Sequence, residues 1–315
     1  MQHPESTLKK WLIAIRPFAL PASTMPVIFG SVLAAVMEGV PFHVGHFLLA
    51  LLAMVILHSA ANMLNDVIDY RMQIDKVPTP VSGAIVRQLL SSNAVLQVAV
   101  LFFFIGCAIG LYLAWIVGPT LFVIGFVGVL IGIFYTLGPV SFKYHALGDL
   151  VVFLNFGILG SLGAWLVQTG HFSWLPAIWA IPMSLFVIAI LHANNWRDTA
   201  SDSGSGIKTV ASVLGDHSSL LYYGILIFSP FLILIGLMIF PRIGVISLPP
   251  MPLTFLITIF SLPLALKLWH KAEARAHPRD PLDFIALDGA TAQINLVFGL
   301  LCTSALLLHL LAGKL

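Results

Sequence analysis

Charge is what this chain has least of. Only 9% of its 315 residues are Asp, Glu, Lys or Arg, where soluble domains carry about 25%, so a soluble fold with a polar skin is excluded. Cysteine is nearly absent as well. Cys107 and Cys302 both fall inside apolar runs, which rules out a disulfide framework and a cysteine-held metal. The formal net charge of +2 is too small to argue for a nucleic-acid partner. The N-terminal stretch MQHPESTLKKWLIAIRPFALPAS lacks a short apolar core followed by a small-residue cleavage site. It is expected to lead into a first membrane helix rather than to be removed.

What the chain has instead is hydrocarbon. Hydrophobic residues make up 59% and the mean hydropathy is +1.00. Apolar runs of about 20 residues, enough to cross a ~30 Å hydrocarbon layer, recur along its whole length. The pattern predicts an all-α, polytopic membrane protein, one transmembrane domain over residues 1–315. Nine spans are expected near 18–38, 46–70, 92–116, 119–138, 147–168, 174–197, 219–240, 251–270 and 290–312, with loops capping one face of the bundle.

The few charges are not scattered. With the N-terminus in the cytoplasm, 13 of the 15 Lys and Arg residues fall on the cytoplasmic side, and only Arg242 and Lys314 on the other. This bias predicts N-terminus in and C-terminus out, in the inner membrane if the cell is bacterial. Asp66, Asp69, Asp75, Asp149, Asp198, Asp202, Asp216, Glu273, Asp280, Asp283 and Asp288 also sit at or beyond cytoplasmic helix ends. Ionisable groups near membrane depth are costly and face a cavity or a partner, so a polar chamber is expected on that face.

Two segments concentrate the chemistry and form a weak internal repeat, HSAANMLNDVIDYRMQID ending the second span and HANNWRDTASDSGSGIK ending the sixth. Asn62, Asn65, Asp66 and Asp69 stand at i, i+3, i+4 and i+7, one face of a helix. Asn195, Asp198 and Asp202 stand at i, i+3 and i+7, with Asn194 beside them. One Asp-rich helix end by itself is usually a solvated cap. Two facing each other repel unless a cation lies between, and oxygen-only ligands favour Mg²⁺ or Ca²⁺. Mg²⁺ combines a few carboxylates with waters and phosphate oxygens. Asp66, Asp69, Asp198 and Asp202 are therefore the candidate metal ligands, and Arg71, Lys143, Arg197 and Lys208 the candidate phosphate binders. The segment SGSGIKT is not a Walker loop, because Ile207 separates Gly206 from Lys208 and a membrane helix precedes it.

These motifs, together with RPFALPASTMPVIFGS, YTLGPVSFKYHALGDLVVFLNFG, LVQTG and ILHANNWRD in order, resemble the UbiA superfamily of intramembrane aromatic prenyltransferases over nearly the whole chain. Within it they are most similar to the menaquinone-forming branch, including its animal vitamin K2-forming members. The resemblance implies nine helices around a lateral cavity. It implies Mg²⁺-dependent transfer of a polyprenyl chain from polyprenyl diphosphate to an aromatic quinone precursor, 1,4-dihydroxy-2-naphthoate or a related ring, within the lipid bilayer. On that reading Asp66, Asp69, Asp198 and Asp202 hold the metal, and Asn62, Asn65, Asn194 and Asn195 orient them. Arg71, Lys143, Arg197 and Lys208 take phosphate oxygens, and Asp149 orients the ring or accepts a proton. Phe18, Tyr135, Tyr144, Phe153, Phe156 and Trp196 are candidates to face an allylic cation. His58 and His192 read as hydrogen-bonded core histidines ahead of a catalytic base, with His192 a candidate substrate contact. The sequence departs from the family pattern at Gln73, Ala84, Ser203 and Ser205, all in cap loops, and these departures are expected to bear on substrate preference and affinity more than on the reaction class. Two other readings compete: a 4-hydroxybenzoate prenyltransferase of ubiquinone synthesis, and a cation-coupled transporter, which would place its carboxylates nearer the midplane.

Overall fold

The computed structural model describes residues 6–74, 83–138, 141–204, 207–274 and 281–313, with only the backbone for 200–204 and 281–286. The expected positions Asp75, Ser205 and Asp280 and the side chains of Asp202, Ser203 and Asp283 lie outside what is described. Apart from one isolated bridge between His145 and Lys208, every regular element among the described residues is helical. In chain order these are α1 (Thr7–Ile15), α2 (Pro21–Glu38), α3 (Val44–Arg71), α4 (Ser92–Val117), α5 (Pro119–Phe134), α6 (Gly148–Val152), α7 (Gly160–Thr169), α8 (Leu175–Gly204), α9 (Val210–Ile239), α10 (Leu262–Glu273) and α11 (Pro281–Ala312).

Helix boundaries follow local chemistry. Ser91 caps α4 by accepting from Ala94 N, and Thr209 with Ser212 forms a reciprocal capping box at the start of α9. Pro119 opens α5 where its missing N–H costs nothing. Gly215, at φ +70, breaks α9 into a short entry piece and the long apolar run behind it, so the membrane portion begins near the expected 219. Between α6 and α7 the helix widens into a π-helical stretch, Phe153–Leu159, and the three pieces form one span, Gly148–Thr169. A 3₁₀ stretch, Leu253–Ser261, runs into α10 in the same way.

Among the described residues, eight helices are long and apolar enough to cross a membrane, and they occupy eight of the nine expected positions. At the remaining position, α5 has 16 residues, about 24 Å of helix. It stops at Phe134 rather than 138 because the chain turns there, with Gly138 at φ +97.

The centre of the bundle is built by α2, α8, α9 and α11, with α7 against α2. Its core holds Trp165, Trp179, Phe186, Phe255 and Phe298. Lipid offers no hydrophobic drive between helices, so close backbone approach has to supply the packing. At Gly30 of α2, an added Cβ would lie 2.4 Å from the Ser161 carbonyl oxygen of α7. Outward-facing apolar side chains such as Phe104, Trp115, Phe126 and Phe260 are exposed, which suits a surface solvated by lipid.

Candidate active site

The last two turns of α3 carry the first acidic motif, and the helical register decides what faces inward. Asp66 and Asp69 are buried while Tyr70 and Arg71 turn outward. Each buried carboxylate meets a cation from elsewhere in the chain. Arg16, in a left-handed conformation between α1 and α2, donates to Asp66. Lys143, in the loop after α5, donates to Asp69 and also to Asn65 at 2.9 Å. Tyr144 donates its hydroxyl to Asp69 at 2.7 Å, and Thr136 donates to Asn65 at 3.4 Å. Burial works against the Lys143 ammonium, but Asp69, with Tyr135 and Tyr144 beside it, outweighs this and raises its pKa above that of an ordinary lysine. Burial and then the Asp69 charge push the Tyr144 phenol up, so it stays a hydrogen-bond donor.

Beneath this cluster lies a cavity with about 970 Å³ of empty space, its mouth included. Arg16 and Lys143 line it, along with Asn62, Asn65, Asn194, Asn195 and Asp288. Asp66 and Asp69 stand behind their cations rather than on the cavity wall. Phe18, Tyr135 and Phe156 contribute aromatic surface. A second cavity of the same size adjoins it, walled almost wholly by apolar residues of α3, α4, α5 and α7. Along α3, one stripe at helical spacing lines both: Asn65, Asn62 and His58 in the first, then His58, Met54 and Ala50 in the second.

The second acidic motif, on α8, is organised around Arg197. Its guanidinium donates to Asp288 of α11 at 2.6 Å, to both oxygens of Asp198 at 2.9 Å, and to Asn194. A residue expected to bind phosphate thus has its donors taken by protein carboxylates and an amide. Arg71 likewise lies away from the cavity, donating to Ser92 and Asn93 at the start of α4 at 3.2 and 3.0 Å. The Lys208 side chain is exposed, while its backbone pairs with Tyr144 and Ala146. That pairing ties the loop after α8 to the loop carrying Lys143.

Asp149 and His192 are buried one layer behind the cavity wall, His192 Nδ1 lying 3.6 Å from Asp149 Oδ2. Trp196 is buried and donates to Asp216 at 2.9 Å, and Phe153 packs against the central core. Among the described residues no three acidic, His or Cys side chains converge on one point, and the Asp202 side chain is not described. Sequence reasoning did not single out Arg16, Ser23, Thr136 or Asp288 as site residues. RPFAL carried the signal for Arg16, a lone cation at the mouth of an apolar helix.

Comparison with known proteins agrees with this architecture. Residues 23–285 match the UbiA prenyltransferase family. A Drosophila melanogaster protein, the UbiA prenyltransferase domain-containing protein 1 homolog, is 32% identical over 309 residues, covering 95% of this chain and 81% of the relative. The human UbiA prenyltransferase domain-containing protein 1 is 32% identical over 294 residues, covering 92% and 81%. Among solved structures, a UbiA homologue from Archaeoglobus fulgidus bound to DMAPP and Mg²⁺ superposes with a TM-score of 0.59 at 16% identity, covering 94% of this chain and 99% of that one. An apo UbiA homologue from Aeropyrum pernix K1 gives 0.61 at 14% identity, covering 91% and 97%. With its helical membrane fold and a match spanning most of its length, the chain is a prenyltransferase of the UbiA family.

Proposed function

We propose that this protein transfers a polyprenyl group from its diphosphate to 1,4-dihydroxy-2-naphthoate, making a menaquinone precursor, with its N-terminus and acidic motifs on the cytoplasmic side. The observation that carries the reading is the union of two unlike chambers along α3, one roofed by cations and amides, the other apolar. That is the shape of a substrate with a charged head and a hydrocarbon tail. From Asn65 to Ala50 the shared stripe runs about 22 Å. A solved relative bound to GPP and Mg²⁺ has the same fold.

The residues present fit a divalent cation. Asp66 and Asp69 are buried and already require positive charge, now supplied by Arg16 and Lys143. They would hold Mg²⁺ together with Asp198 and Asp202, an all-oxygen set suited to that ion. When bound, Mg²⁺ supplies charge neutralisation to the departing diphosphate. Arg16 and Lys143, at the ends of long side chains facing the cavity, turn from the carboxylates to the phosphate oxygens. Asn62, Asn65, Asn194 and Asn195 orient the head group. Water would quench an allylic cation, and the apolar lower chamber excludes it.

Purified protein supplied with Mg²⁺, a labelled polyprenyl diphosphate and a panel of aromatic acceptors tests the reading. Acceptor-dependent transfer to the naphthoate supports it. Transfer to 4-hydroxybenzoate alone replaces the acceptor, and no acceptor-dependent diphosphate release at all defeats it.

A further inference from the structure

The two chambers share five wall residues: His58, Ala61, Gly132, Asn155 and Phe156. Among these only His58 carries a side chain with a basic nitrogen that can accept a proton. Its placement is held from two sides. The ring lies against Phe156, with centroids 4.5 Å apart and planes tilted by 35°, and Phe156 is itself aimed inward by the π-helical stretch Phe153–Leu159. Such stretches concentrate at functional sites because the extra residue per turn redirects side chains. On the other side, His58 Nδ1 lies 2.7 Å from Ser23 Oγ of α2.

The Ser23 contact is compatible with the tautomer that leaves Nε2 unprotonated. A serine hydroxyl has one proton, and the Leu20 carbonyl, 3.0 Å from Ser23 Oγ, offers it an acceptor. With that proton donated to Leu20, the Ser23 oxygen is the acceptor towards His58 at 2.7 Å, the ring hydrogen sits on Nδ1, and Nε2 keeps its lone pair. His58 stands two helical turns from Asn65 on the same face of α3, at the place where the bottom of the polar chamber becomes the top of the apolar one.

We infer that His58 accepts the proton of the aromatic substrate's ring hydroxyl, with Ser23 as its positioning residue. This rests on the prenyl-transfer reading above and adds the group that activates the ring. The hydroxyl proton passes to Nε2 while the oxygen electron pair feeds into the ring. The ring carbon forms a bond to C1 of the prenyl chain, and the C1–O bond breaks with its electron pair going to the diphosphate. The immediate product is a ring ketone carrying both the new chain and the original substituent on one carbon. That substituent leaves, as a proton taken by the diphosphate or as carbon dioxide from a carboxylate. The ring regains aromaticity, and the His58 proton returns to the oxygen.

The test uses the full-length protein with Mg²⁺ and geranyl diphosphate. The acceptors are 1,4-dihydroxy-2-naphthoate, 4-hydroxybenzoate and ring-halogenated 4-hydroxybenzoates of falling hydroxyl pKa. His58→Ala is expected to lower kcat by about 10²- to 10⁴-fold and leave the KM for the donor unchanged, with part of the rate restored by added imidazole. The deficit should shrink as the acceptor hydroxyl becomes more acidic, because an acceptor that ionises by itself needs no base. His58→Gln, which keeps a polar side chain of similar length, should behave like His58→Ala. Ser23→Ala should lower kcat by a smaller factor with the same dependence on acceptor acidity, while Ser23→Thr retains activity. A His58→Ala rate close to wild type overturns the inference. So does a loss that imidazole leaves untouched and that falls equally on acidic and ordinary phenols. Failure of the wild-type protein to prenylate any acceptor defeats the parent reading instead, and this inference with it.

Discussion

Arg197 of α8 and Asp288 of α11 meet at 2.6 Å, both closed off from solvent. Arg197→Ala would leave the Asp288 charge buried without its partner, which costs about 3–5 kcal/mol for pairs of this kind. The expected outcome is a large drop in the thermal unfolding midpoint in detergent, with activity lost through the fold. If Arg197 instead served only to hold phosphate, its removal would leave the midpoint in place and raise the KM for the donor.

The paired carboxylates behind the cavity roof are expected to act on turnover rather than on folding. Asp69→Asn keeps one acceptor oxygen where Tyr144 and Lys143 now bond two, and it removes the charge. It should lower kcat by at least about 10²-fold with helix content by circular dichroism unchanged. Asp198→Ala should give the same kinetic result. Lys143→Met should act chiefly on the donor, raising its KM. Near-normal turnover in Asp69→Asn would remove the carboxylate from the mechanism.

Chelation gives a separate readout of the same site. EDTA is expected to stop transfer, added Mg²⁺ to restore it, and helix content to stay constant throughout. The centre of the bundle is packed by apolar side chains such as Trp165, Trp179, Phe186, Phe255 and Phe298, none of them a candidate metal ligand, so metal removal should not unfold it. Transfer that persists after exhaustive chelation would exclude the divalent cation.

The apolar chamber should control which donors are used. Gly125 of α5 lines it, and a Cβ built there meets nothing within 4 Å. The first atom of a side chain added by Gly125→Leu therefore enters open space. Geranyl diphosphate should remain a substrate, while the KM for longer polyprenyl diphosphates rises. Equal effects on short and long donors would show that the tail lies elsewhere.

At Gly30 the expected effect is structural. An alanine Cβ would lie 2.4 Å from the Ser161 carbonyl oxygen, and backbone does not move aside as a flexible side chain does. Gly30→Ala should push α2 and α7 apart and cost about 1–3 kcal/mol, measured as a lower unfolding midpoint. A midpoint equal to wild type would refute the close approach.

Much of the site was legible in the sequence wherever one helix carries it. The Asn62–Asp69 ladder follows from periodicity alone, and Asp66 and Asp69 are indeed turned inward. The same periodicity argues against Arg71 as a phosphate ligand. Two residues beyond Asp69 is about 200° around the helix, so if Asp69 faces the cavity, Arg71 faces away and bonds the start of α4 instead. Register could not assign Arg197, because its partner Asp288 is 91 residues away.

Composition and hydropathy by themselves determined that this chain is a helical membrane protein, where its spans fall, and which helix ends carry acid and amide. These are local properties, set by what a lipid interior tolerates and by 3.6 residues per turn. Only the tertiary structure decided that Arg16 covers Asp66, that Lys143 reaches Asn65 and Asp69, and that a π-helical stretch carries Phe156 onto His58 between two chambers. Each of those contacts joins segments far apart in the chain. Which distant cation finds which buried carboxylate depends on how whole helices dock, and no local pattern encodes that.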